Sequence, residues 1–177
     1  FNGRPLLSGN LKGKALASKQ PLNTTGSYLE NLFGGRKDSA PCTDPNNKDF
    51  YKKDLSGAII CTTTTVGSSL GGAALMGVGS LGVGPKALLF SQHVDSVSLA
   101  GVLMDDIWNG RRVITIDLLG DEFLEAGAGH VADDVDEDVG RHQHRVAEEA
   151  VGKGVAVGAG RPALELAHLV LIGHLHV

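Results

Sequence analysis

Aromatic side chains are scarce in this chain: five Phe, two Tyr and one Trp make up 5 % of its 177 residues. Large rings supply much of the area a core buries, so the shortage predicts a thin or discontinuous core. Two cysteines, Cys42 and Cys61, are too few for a disulfide framework or a cysteine-based zinc site; one bridge or two free thiols both fit. No run of basic residues marks a nucleic-acid face. No Cys-His or Ser-His-Asp set has supporting context. The absence of such constellations leads to the expectation of a protein that is not an enzyme.

What is present is glycine, 25 residues of it, and a charge asymmetry beneath a mild net charge of −4. Residues 1–54 carry nine Lys/Arg against five Asp/Glu, whereas residues 91–177 carry six against fifteen. The length suits one domain of ordinary size. The first residue is Phe1 rather than Met, which fits either a removed targeting segment, pointing to an organellar or exported protein, or a sequence that starts mid-chain.

Four segments of unlike character follow. Residues 1–54 are polar and basic, rich in Gly, Asn, Ser and Pro, and predict an extended, irregular segment that wraps a partner. Residues 55–85, LSGAIICTTTTVGSSLGGAALMGVGSLGVGP, hold 31 residues without a charge. A spanning helix needs about 20 mostly apolar residues, so a transmembrane helix is expected here. Phe50, Tyr51, Lys52 and Lys53 on one side and Lys86 and Phe90 on the other fit interfacial flanks. Gly67, Gly71, Gly72, Ala73 and Gly77 recur at the spacing that lets helices approach closely, and form the expected helix-packing face. Residues 86–123 read as a small helix, KALLFSQHV, followed by a β-hairpin, GVLMDDIW-NG-RRVITIDLL. Asn109-Gly110 would make its type I′ turn, and Asp105 and Asp106 would face Arg111 and Arg112 across it. Residues 124–177 form an acidic tail without Phe, Trp, Tyr, Ser, Thr, Asn, Cys or Met. Its Val, Ala, Asp, Glu and Gly share a first codon base, which fits either a GC-rich gene or a shifted reading frame. The fold class expected is therefore mostly irregular and α, with one transmembrane helix and one hairpin, and no assignable compact fold.

Gly77-x-Gly79-x-x-Gly82 matches the dinucleotide fingerprint, with Asp105 placed where a ribose-binding acid belongs. Glycine abundance weakens the match, and Pro85 would interrupt the helix that should be under way. A second version, Gly158-x-Gly160-x-x-Ala163, ends too close to the C-terminus for a second strand. In the acidic run, Asp134, Asp136 and Asp138 alternate as in a calcium loop, but Val139 stands where the turn glycine belongs. The pairs His142/His144 and His174/His176, with His130, lack a convincing third ligand, so no metal site is assigned.

Gly26-Ser27-Tyr28-Leu29-Glu30-Asn31-Leu32 resembles the short G-x-YL-x-x-L elements of linker and accessory proteins of algal photosynthetic complexes. That resemblance implies an imported, plastid thylakoid protein that bridges larger membrane-complex subunits. No cofactor is assigned beyond the pigment or lipid contacts of such a setting. The expected function is thus a non-enzymatic accessory subunit of an organellar membrane complex. The alternative is a soluble α/β protein that binds a nucleotide through Gly77, Gly79, Gly82 and Asp105.

Overall fold

A computed structural model describes residues 1–125 of the chain. The segments richest in β-branched and aliphatic residues form its central strands: β4 (Ile59–Thr62), β6 (Ala87–Phe90) and β7 (Ile114–Asp117), each buried at every position. Such near-continuous apolar strands are the pattern of a parallel sheet covered on both faces. They pair in parallel, Ile60 opposite Leu88 and Leu89 opposite Ile116. β2 (Ala15–Ala17) extends the sheet in parallel beside β4, and β1 (Arg4–Leu7) closes the other edge antiparallel to β7. The sheet order is β1-β7-β6-β4-β2.

The crossovers are helical. α3 (Gly71–Ser80) joins β4 to β6, and α4 (Ser96–Asn109) joins β6 to β7. Ahead of them, α1 (Thr24–Ser27) and α2 (Leu29–Leu32) connect β2 to β4, with the two-residue β3 (Leu22–Asn23) pairing in parallel with β5 (Thr65–Val66). Leu75, Val78 and Val102 of the long helices pack with Ile60, Leu88 and Phe90 of the sheet, and with Leu22, Tyr28 and Phe50. On the opposite face Ile59, Cys61, Leu89 and Ile116 pack with Phe123 and Leu124 of α5 (Glu122–Glu125). The sheet therefore separates two apolar clusters. Scarce aromatics suffice because short aliphatic strands carry most of the burial.

The architecture overturns the expected fold class: a compact α/β fold is assignable, around one five-stranded sheet. The uncharged run 55–85 does not form one long helix. It supplies β4, β5 and α3, and among the described residues no helix is long and apolar enough to cross a membrane. The run is uncharged because β4 is buried on both faces and α3 packs on the sheet and against α4. KALLFSQHV contains a strand rather than a helix, and the expected hairpin is instead α4 followed by β7. Asn109-Gly110 ends a helix: Gly110 adopts the left-handed φ of 63° and its N–H donates to the Asp105 carbonyl. Asp106 and Arg112 do form an ion pair, 2.8 Å, but across a helix C-terminus.

Residues 1–54 lie against the sheet through Tyr28 and Phe50, both wholly buried. Cys42 and Cys61 are free and buried, and burial pushes the Cys61 thiol up to about 12. The acidic run 133–140, the histidines from His130 onward and the Gly158 motif lie outside the described residues.

Candidate functional site at the carboxyl edge of the sheet

A parallel sheet gathers the ends of its strands on one edge, where the loops that follow them can present side chains. Here that edge carries the residues after β2, β4, β6 and β7, and also the start of the antiparallel β1. Arg4 opens β1 opposite Asp117, the last residue of β7. The guanidinium grips the carboxylate at both oxygens, Nε to Oδ1 at 2.9 Å and Nη2 to Oδ2 at 2.7 Å. The Asp117 side chain is fully buried, whereas that of Arg4 is half exposed. Burial alone would raise the Asp117 pKa. The Arg4 hydrogen bonds, the Val94 N–H and the Arg4 and His93 charges outweigh it and hold the carboxyl below its ordinary value. His93, largely exposed, sets its Nδ1 3.5 Å from Asp117 Oδ2 and 3.2 Å from Arg4 Nη2.

The next two strand ends bring hydroxyls. Thr64 Oγ1 donates to the His93 carbonyl at 2.6 Å, tying the loop after β4 to the loop after β6. Thr65 donates to the Asp95 carboxylate, which also caps α4 by accepting from the Val97 and Ser98 N–H groups. Burial works against the Asp95 carboxylate, yet these hydrogen bonds keep its pKa low. Thr62 Oγ1 donates to the Gln20 carbonyl at 2.6 Å. Ser91 Oγ is buried, with no partner among the described residues. Ser18, after β2, donates to Asn47 and Asp49.

Between Thr65 and α3 the chain passes Gly67, Ser68 and Ser69, all exposed. Gly67 has a φ of 126°, outside the range of ordinary side chains, and lies against Asn23. Ser68 Oγ accepts from the Leu70 N–H, and its carbonyl accepts from Gly71. The loop so held places two serine hydroxyls at the start of a ten-residue helix. In the same segments that follow β4, β6 and β7, Val66, Leu70, Val97 and Leu118 are exposed apolar residues.

The expected site residues fall elsewhere. Gly77 and Gly79 are in the C-terminal half of α3 and Gly82 just beyond it, with a φ of 80°. A phosphate needs the amino end of a helix, where N–H groups point outward; these glycines lie at the carbonyl end. Asp105 is buried on α4, with its carboxylate against Gly79 and its Oδ1 accepting from Asn109. The dinucleotide reading is therefore overturned. Of the expected packing residues, Gly71 abuts Thr24 and Gly72 abuts Val97 and Gly101 of α4. Gly77 faces Leu32, Gly67 is in the loop, and Ala73 is exposed. These neighbours belong to the chain itself.

Reading the sequence alone missed Arg4, His93, Asp95 and Asp117, which are scattered over more than a hundred positions and form no spaced motif. Among the described residues no group of three His, Cys, Asp or Glu is placed to hold a metal ion.

Fold and edge together define a class: an open α/β domain with all its long crossover helices on one side and its polar groups on an exposed strand edge. The sequence matches the family model of the aconitase X swivel domain over residues 1–141, and the chain belongs to that family. It is similar in structure to aconitase X of Thermococcus kodakaraensis in its holo-form, with a TM-score of 0.54 and 19 % identity over 66 % of this chain and 77 % of that one. It is also similar to a UPF0107 protein solved by NMR, with a TM-score of 0.56 and 20 % identity over 72 % of this chain and 84 % of that one. No curated protein matches the chain. The match spans GSYLENL, which folds as α1 and α2 with Ser27 and Tyr28 buried. The resemblance to photosynthetic linkers is thereby overturned, and with it the accessory-subunit function, the thylakoid setting and the membrane partners.

Proposed function

We propose that this chain is the swivelling part of an aconitase-X-type hydratase, and that its carboxyl edge completes an active site carried mainly by another domain or subunit. The observation that carries the reading is the composition of that edge. The exposed hydroxyls of Ser68 and Ser69, the His93 imidazole and the Arg4 guanidinium share that edge with the exposed apolar side chains of Val66, Leu70, Val97 and Leu118. Exposed apolar surface beside polar groups is what a surface needs if it closes on a partner and excludes water from the chemistry.

Removal or addition of water across a carbon–carbon bond requires a proton to be moved at carbon and at the departing hydroxyl, with charge on the substrate stabilised meanwhile. In this chain Ser68 and Ser69 offer hydroxyl donors at the amino end of α3, where the helix dipole favours negative charge. His93 presents an exposed imidazole, with Asp117 on its Nδ1 side. Arg4 fixes Asp117 and presents its exposed flank to an anion. The chain supplies groups to a shared site.

The test is reconstitution. The full chain would be combined with the large aconitase X domain of its own organism, and turnover followed through the ultraviolet absorbance of the unsaturated acid. Activity should need both parts, and His93→Ala should lower kcat by on the order of 10²-fold with little effect on KM. Turnover by the large domain alone at the same rate would sink the proposal.

A further inference from the structure

The parallel sheet also gathers the residues that precede its strands, on the edge opposite the site above. Lys12 and Lys14 lead into β2, Lys86 leads into β6, and Arg111 and Arg112 lead into β7. Five cations that are dispersed over a hundred residues of sequence thus meet along one edge. A cleft of about 400 Å³ opens there, between the segment 9–11 that follows β1 and the residues that start β6 and β7. That volume is within the range of small-molecule sites, roughly 300–1,000 Å³.

The cleft is lined by both apolar and cationic residues. Leu11, Pro85 and Ile114 supply carbon surface, and Lys86, Arg111 and Arg112 supply charge. Two of those charges are already engaged. Arg112 is paired with Asp106 through Nε at 3.2 Å and Nη2 at 2.8 Å. Arg111 donates through Nη1 to the Gly79 carbonyl, with the Asp105 carboxylate on the other side of that glycine. Lys86 has no acidic partner among the described residues. Its backbone is fixed on both sides, the N–H donating to the Ala58 carbonyl and the carbonyl accepting from Ile114. The sheet therefore fixes the backbone from which the Lys86 side chain lines the cleft.

We propose that this cleft is a second binding site, for a small organic anion: a carboxylate or phosphate on a short apolar body, the head group at Lys86 and the body against Leu11 and Ile114. The ligand would bind away from the carboxyl edge, so occupancy would leave the proposed shared site open.

The experiment is amide-detected NMR titration of the full chain with hexanoate, hexyl phosphate and inorganic phosphate. Hexanoate or hexyl phosphate should shift the amides of Asn10, Leu11, Lys86 and Ile114 saturably, and which of the two binds more tightly identifies the head group. Inorganic phosphate, without a body, should bind more weakly than hexyl phosphate. Lys86→Gln should weaken binding by about tenfold, the loss of one charge-assisted hydrogen bond. Unchanged spectra outside the cleft would show that the variant is folded. Three outcomes would overturn the proposal: no saturable shifts, equal affinity in Lys86→Gln, or shifts confined to His93 and the segment 63–70. The last of these would leave the hydratase reading intact, because it concerns the other edge.

Discussion

Asp117 illustrates how much one side chain can organise. It ends β7, anchors the antiparallel edge strand through Arg4, accepts from the Val94 N–H at 3.2 Å and faces His93. Asp117→Asn keeps the shape but loses the charge that Arg4 grips. Because Arg4 is half exposed and returns readily to water, the expected cost in urea unfolding is about 1–2 kcal/mol rather than the larger penalty of a buried ion pair. The same group sets a pH dependence. A carboxyl whose folded pKa lies below its unfolded value of about 4 stabilises the fold above that value, and the contribution is lost as pH falls through the folded pKa. Asp54, Asp95 and Asp117 all have lowered values, held by hydrogen bonds against the opposing effect of burial. The urea midpoint should therefore be level from about pH 7 to pH 5 and fall below about pH 4, and Asp117→Asn should fall less steeply. An acid limb of unchanged slope in the variant would remove Asp117 from this account.

Between elements, the closest meeting is that of α3 and α4. A Cβ at Gly72 would collide with the Val97 carbonyl, and one at Gly101 with the backbone of Gly72. Neither neighbour can swing away, since both are main chain. Gly101→Ala should therefore cost about 1–3 kcal/mol by forcing the helices apart. At Gly77 a Cβ would meet only the Leu32 Cδ2, 3.0 Å away and at the end of a flexible side chain. There the gain of up to about 1 kcal/mol in helix propensity should offset the crowding, and Gly77→Ala should be near neutral in thermal unfolding. Equal losses at the two positions would show that helix packing does not distinguish them. This contrast explains what the sequence could and could not reveal about elements. Small residues at helix-packing spacing are visible from Gly67 to Gly77, but a sequence does not say whether the facing helix is a partner's or the chain's own. Asn109-Gly110 was visible as a turn signal. Left-handed glycine, however, serves a helix end as well as a type I′ hairpin, and only the buried face of α4 separates the two. The carboxyl-edge site was illegible for another reason: Arg4, His93 and Asp117 become neighbours only through strand order, which no local spacing encodes.

For the described part of the molecule as a whole, the decisive feature is that one sheet is shared by two apolar clusters. Leu88 belongs to the cluster under α3 and α4, and Leu89, the next residue, to the cluster under α5. A shortage of large rings predicts a thin or discontinuous core. Alternation along β6 instead lets a four-residue strand serve both faces, so neither cluster can lose its sheet without the other. Leu88→Ala and Leu89→Ala should each cost about 2–5 kcal/mol, since both sites are nearly sealed from solvent. Both should also act on a single cooperative transition. In a urea series followed by amide NMR, the signals of Leu75 and Val78 on one face and of Phe123 and Leu124 on the other should vanish at one midpoint in the wild-type chain, and at one lower midpoint in each variant. If Leu89→Ala released Phe123 and Leu124 while Leu75 and Val78 held, the two clusters would be separate folding units. The carboxyl-edge groups of β6 and β7, fixed by both clusters here, would then depend on the helical side alone.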